Sequence, residues 1–220
     1  MQTTPRVSLI HATPVAVNPI TESFRRLWPE AQTYNLLDDS LTADLQARGN
    51  DIAALIPRFE TLIRYAVESG AHGVLFTCSA FGPAIEAARS AFDIPVLKPN
   101  EAMIDEALGI GTKIGLVATF EPAIAPILQE LQDAARELGK RVELEAFLVK
   151  DAWAALQGGD QGKHDQLIAE ACAATTGYDV VCFAQFSMTN AAAAAQRTSG
   201  RPTLTTPDSA VNRLKSLILR

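Results

Sequence analysis

Hydrophobic and polar positions alternate along this chain in two rhythms. Short apolar or β-branched runs occur at 6–10, 33–37, 74–77, 94–97, 113–119, 142–149, 179–184 and 201–205. Runs of that length, bounded by Gly, Pro or Asn, predict strands, and the most continuous ones predict strands buried on both faces. Between them, apolar residues recur at helical spacing. The clearest case is 50–69, where Ile52, Leu55, Ile56, Phe59, Leu62, Ile63 and Ala66 form one stripe that Gly70 closes. Pro57 inside it predicts a kink. Further helices are expected at about 20–28, 83–91, 100–108, 122–139, 152–156, 163–176 (closed by Gly177) and 191–195. A last one follows Thr206-Pro207 and buries Val211, Leu214, Leu217 and Ile218. Strands alternating with helices predict parallel sheets and an α/β fold.

The order of elements repeats. Val7–Thr13 matches 114–119 in kind, the strand before Cys78 matches the strand before Gln185, and 94–97 matches 202–205. Thr13 lies 65 positions before Cys78, and Thr119 lies 66 before Gln185. We therefore expect two pseudo-symmetric lobes, 1–98 and 99–220, each a mostly parallel sheet flanked by helices, with the C-terminal helix crossing to the first. Lobes facing one another would set both strand ends across one cleft, the edge where open α/β sheets bind ligands.

One stretch carries chemistry beyond this pattern. Val74–Thr77 is a core strand, Cys78 ends it, and Gly82-Pro83 opens the next helix. A thiol is thus expected at a strand end, before a helix N-terminus whose N–H groups and dipole favour an anion. The same field predicts a thiol that ionises readily.

Composition narrows the classes. A net charge of -6 and 6% aromatic residues argue against nucleic acid, which needs basic surface and stacking platforms. Three cysteines in 220 residues fit a reducing compartment, and no run reaches the length of a membrane span, so a cytoplasmic enzyme without a membrane partner is expected. The three histidines and three cysteines show no metal spacing, and no metal is expected. Gly109–Lys113 precedes a strand, where a phosphate loop must follow one, and no Gly-x-Ser-x-Gly elbow occurs.

Thr77-Cys78-Ser79 at the first strand end, with a matching turn in the second half, resembles the aspartate/glutamate/hydantoin racemase superfamily over nearly the whole chain. The resemblance implies cofactor-free chemistry on carbon acids and a homodimer or higher homo-oligomer. In the racemases two cysteines flank the substrate, and one removes the α-proton while the other returns one from the opposite face. Maleate isomerases and arylmalonate decarboxylases are relatives. Carried onto this sequence, the resemblance places Cys78 on the first cysteine and Ser79 on the donor beside it. Thr13 and Thr119 fall on the loops that close over a carboxylate. The second cysteine falls on Gln185 if Gly70 is matched to Gly177, or on Ala184 if Gly73 is matched to Asp179; neither is a cysteine. The decarboxylases' tyrosine donor falls on Phe120.

The expected catalytic residue is Cys78, with His11, Thr13, Ser79, Ala80, Thr119, Phe120, Gln185, Phe186 and Ser187 as substrate contacts. His11 reads either as a cleft acid–base group or as a satisfied strand-end histidine, and His72 and His164 read as solvated. Lys98 is read as a surface charge within reach of an acidic substrate. The implied function is a racemase or isomerase acting at the α-carbon of an amino acid, hydantoin or small carboxylate. The alternatives are a single-cysteine decarboxylase or lyase of a malonate-type acid, and a non-catalytic small-acid binding protein.

Overall fold

The computed structural model describes residues 4–220. Its contacts divide the chain into two units. One runs to Glu101 and takes in Ala210–Arg220, and the other is Ala102–Ser209.

The first unit carries β1 (Arg6–His11), α1 (Val17–Leu27), β2 (Gln32–Leu37), α2 (Leu41–Ala47), α3 (Ile56–Glu68), β3 (Gly73–Phe76), α4 (Gly82–Arg89) and β4 (Val96–Leu97). Its sheet has the order β2-β1-β3-β4, with every pair parallel. β1 and β3 lie in the middle, which is why their sequences are apolar almost without interruption and why β3 is buried along its whole length. β2 is an edge strand that leaves Tyr34 and Leu37 exposed. One apolar cluster joins Ile10, Val74 and Phe76 to Leu41 and Leu45 of α2, to Phe59 and Ile63 of α3, and to Ile85 of α4.

The second unit contains α5 (Glu101–Ile110, from its second residue), β5 (Lys113–Ala118), α6 (Ile124–Glu137), β6 (Glu143–Leu148), α7 (Lys150–Gln157), α8 (Gln161–Ala171), β7 (Val180–Phe183), α9 (Ala192–Ser199) and β8 (Thr203–Thr205). Its sheet, β6-β5-β7-β8, repeats the first in order and direction. The strands alternate between two cores. Leu116 and Cys182 face the cluster of α5 and α6, whereas Val117, Val181 and Phe183 join α8 and α9. α10 (Thr206–Ile218) begins in this unit, and from Ala210 onward it counts with the first.

Several local expectations change. Pro57 lies in the first turn of α3 and does not kink it; a 3-10 turn at Ala53–Leu55 precedes the helix. There the missing N–H of proline costs nothing. α2 has no counterpart in the sequence reading, although Leu41 and Leu45, four apart, are its buried face. Gly70 and Gly139 follow α3 and α6 at φ +82° and +64°, as helix-ending glycines do, whereas Gly177 is not left-handed and follows a 3-10 turn at Cys172–Thr175. No helix among the described residues is long and apolar enough to cross a membrane.

Candidate functional site

Four strand ends carry the candidate residues, and each is built alike. The chain leaves the strand extended, makes a 3-10 turn and enters a helix. Thr13 precedes the turn Pro14–Ala16, Cys78 precedes Ser79–Phe81, Phe120 precedes Glu121–Ala123, and Gln185 precedes Phe186–Ala191. The first N–H groups of such a turn have no acceptor within the helix, so they point outward as donors.

In the first unit, Phe81 fixes the turn after Cys78. It is buried at 1% exposure and packs on Phe59, which also meets Phe76. Cys78 itself is half-buried, and Ser79 and Ala80 are exposed. Burial pushes the Cys78 thiol above its ordinary range, and the Ala80 N–H offsets only part of that. The direction is opposite to the readily ionised thiol expected from the sequence, because desolvation outweighs the Ala80 hydrogen bond. Cys78 therefore carries its proton at neutral pH.

His11 is the second correction. It has no exposed surface, and both ring nitrogens are bonded, Nδ1 to Thr77 Oγ1 at 2.8 Å and Nε2 to Asn35 Oδ1 at 2.9 Å. Asn35 Oδ1 only accepts, so Nε2 carries the hydrogen and Nδ1 accepts from Thr77. Burial holds its pKa below the ordinary value, so the ring is neutral. His11 is thus closed off from solvent, as a satisfied strand-end histidine, and holds Thr77, the residue before Cys78. Thr13 is half-buried, and its hydroxyl caps nothing in its own turn.

In the second unit, Thr119 is 2% exposed. Its N–H and hydroxyl both donate to Gln185 Oε1, at 3.0 and 3.4 Å, while Gln185 Nε2 donates to the Phe120 carbonyl at 3.3 Å. The amide orientation follows from its partners, since the N–H needs an acceptor and the carbonyl a donor. The half-exposed Phe120 ring packs against Trp153 of α7 in a tilted pair, with centroids 5.0 Å apart. Phe186 and Ser187 are half-buried, and the Ser187 carbonyl accepts from Gln161 Nε2 at 3.4 Å.

Strand register decides which residues of the two units correspond. Val7 pairs with Gly73 as Ile114 pairs with Val180, so matching positions lie 107 apart. The offset holds at side chains too: His72 Nδ1 accepts from Arg6 N–H at 3.0 Å, and Asp179 Oδ2 accepts from Lys113 N–H at 2.9 Å. It also holds beyond the strands, where Thr77 N–H bonds Ile10 O and Ala184 N–H bonds Val117 O. Cys78 therefore corresponds to Gln185, which settles the choice between Gln185 and Ala184. Thr119 corresponds to Ala12, and Thr13 to Phe120, so the equivalence of the two threonines is off by one residue.

Other candidates fall outside the strand ends. Cys182 has no exposed surface, and burial drives its pKa up to about 12; Cys172 is buried with a pKa of about 11. Lys98 pairs with Glu86 at 2.5 Å. His164, expected in solvent, is fully buried, with Nδ1 2.8 Å from Asp165 Oδ1. Among the described residues no group of three or more His, Cys, Asp or Glu is placed to hold a metal ion. The sequence reading missed Thr77, Asn35 and Trp153. Only Trp153 left a signal, as the lone aromatic of a short helix.

The fold is shared with solved structures at low identity. An allantoin racemase from Klebsiella pneumoniae superposes with a TM-score of 0.70 at 19% identity, covering 98% of this chain and 88% of its own. An aspartate racemase homologue from Pyrococcus horikoshii OT3 gives 0.72 at 14%, covering 99% and 100%. Unliganded arylmalonate decarboxylase gives 0.64 at 16%, covering 98% and 93%. No curated protein matches the chain in sequence. The sequence profile of the Asp/Glu/hydantoin racemase family matches residues 11–217, nearly the full length. On that match, the chain belongs to the Asp/Glu/hydantoin racemase family.

Proposed function

We propose that this protein is a cofactor-independent enzyme in which the Cys78 thiol delivers a proton to one face of the α-carbon of a small carboxylate. The observation that carries this is the register match of Cys78 with Gln185. An amide cannot carry a proton at neutral pH. Within 12–13, 77–80, 119–120 and 184–187, Cys78 is the one side chain able to exchange a proton near neutrality. Its raised pKa suits a donor better than a base.

Decarboxylation of a malonate-type acid fits such a group. The bond from Cα to one carboxylate breaks, CO₂ leaves, and the electron pair stays on an enediolate. The Sγ–H proton then moves to Cα, and water reprotonates the thiolate. The Ser79 N–H suits a developing oxyanion, and such a donor is typically worth 10²–10³ in rate, about 3–4 kcal/mol.

Family membership favours a second reading, racemisation or isomerisation of an amino acid, hydantoin or small carboxylate. Incubation in D₂O with substituted malonates, amino acids and hydantoins separates the two. CO₂ release with one deuteron in a single enantiomer supports the one-sided donor. Interconversion of enantiomers with α-proton exchange supports the racemase. Tight binding with neither, and an unreactive Cys78, would leave a small-acid binding protein.

A further inference from the structure

We propose that the open edge of β2 is a surface through which two copies of this chain associate, β2 pairing antiparallel with the second copy's β2 about a two-fold axis at Asn35.

β2 and β6 hold equivalent places. Among the described residues each is outermost in its sheet, and Gln32–Leu37 pairs with β1 residue for residue as Glu143–Leu148 pairs with β5. Their edges differ in charge. β6 carries Glu143 and Glu145, both exposed, and charged side chains are a common means of keeping a sheet edge from pairing with other chains. β2 has neither a charged residue nor a proline, and it leaves Tyr34 and Leu37 44% and 43% exposed. Asp38, just beyond it, is paired with Arg58. The Gln32 and Asp38 N–H groups donate to the Pro5 and His11 carbonyls at 2.8 and 2.9 Å. Main-chain groups alternate in direction along a strand, so Gln32, Tyr34 and Leu36 turn theirs to β1, and Thr33, Asn35 and Leu37 turn theirs to the open edge. Such a row is a template for another strand.

A second copy fits this edge because the row is complementary to itself. An antiparallel pair centred on Asn35 sets Asn35 opposite the second copy's Asn35 and Thr33 opposite its Leu37, so the outward N–H and C=O groups bond one another on both sides of the axis. The chain carries a net charge of -6, and an uncharged edge is where two copies meet with least repulsion. β6 paired in the same way about Ala146 would bring Glu145 diagonally beside the second copy's Glu145, a like-charge contact that opposes association. The β2 pairing closes at two copies, whereas pairing β2 with another copy's β6 would continue without end.

Sedimentation velocity over a dilution series tests this. The unmodified protein should show a species of twice 23.6 kDa that dissociates on dilution. The amides of Thr33, Asn35 and Leu37 should exchange hydrogen more slowly in concentrated than in dilute protein. Leu37→Glu puts a carboxylate on the edge of both copies and should raise the dissociation constant about tenfold or more. Adding Thr33→Lys sets an opposite charge across each pair and should restore association. Thr33→Glu repeats the test should Leu37→Glu fail to fold. A monomer at every concentration, a dimer that both single glutamate variants leave intact, or assemblies that keep growing with concentration would overturn the proposal. So would a double variant that associates no better than Leu37→Glu.

Discussion

Residue by residue, depth decides more here than type. Cys78 and Cys182 are both strand cysteines in the sequence, yet one is half-buried at a turn and the other has no exposed surface. Iodoacetamide followed by mass spectrometry should label Cys78 alone in the native protein, with Cys172 and Cys182 labelled only after unfolding. The labelling rate of Cys78 should rise with pH to a midpoint above that of a free thiol, because burial favours the neutral form. Cys78→Ala should abolish turnover and leave the melting temperature nearly unchanged, since a half-buried thiol contributes little packing. His11 gives the opposite pattern. His11→Ala leaves the buried Thr77 hydroxyl without its 2.8 Å partner, whereas the exposed Asn35 amide can bond water, and should cost about 1–3 kcal/mol in urea denaturation. Its native pKa lies below the reference 6.5, so the unfolded chain takes up a proton first as pH falls. The stabilisation is present above about pH 6.5 and is lost as pH falls toward the native value, a slope that His11→Ala should remove.

Elements are held together by close approaches that no periodicity announces. A Cβ on Gly73 would come within 2.8 Å of Ile218 Cδ1 and 3.2 Å of Leu214 Cδ2, so glycine at the start of β3 lets α10 pack on the strand. Gly73→Ala should destabilise by about 1–3 kcal/mol through overpacking, and adding Ile218→Ala should recover part of that loss. A thermal-shift series on the three variants checks it, and strict additivity would count against the contact. Gly111 plays the same part in the second unit, where its Cβ would overlap Asp179. Most strands and helices were legible because burial imposes its period on the sequence. Pro57 misled because proline signals a break inside a helix and a start at its first turn, and only the preceding 3-10 turn at Ala53–Leu55 distinguishes the two. The site turns were half legible: Cys78 before Gly82-Pro83 marked a strand end, but nothing marked the pairing of His11 with Thr77 across 66 positions.

At the scale of the whole chain, the two units repeat one plan with different chemistry at equivalent places. The sheet order is the same, the offset of 107 positions is the same, and a clip from the residue before the third strand to the first N–H of the first strand recurs as His72 in one unit and Asp179 in the other. Against that constancy, Cys78 and Gln185 diverge, which is why we expect chemistry that is not symmetric about the α-carbon. A product formed in D₂O should carry its deuteron in one configuration, measured by chiral chromatography with mass detection, and a racemic product would contradict the assignment of Gln185. By itself the sequence determined the α/β class, the duplication, the family and the place of Cys78, because these follow from hydrophobic period and local order along the chain. Only the tertiary structure decided which residues correspond, that His11 is closed off, that Cys78 keeps its proton and that Gln185 lies on Thr119. Each of these depends on strand register or burial depth, which are set by contacts between residues far apart in sequence.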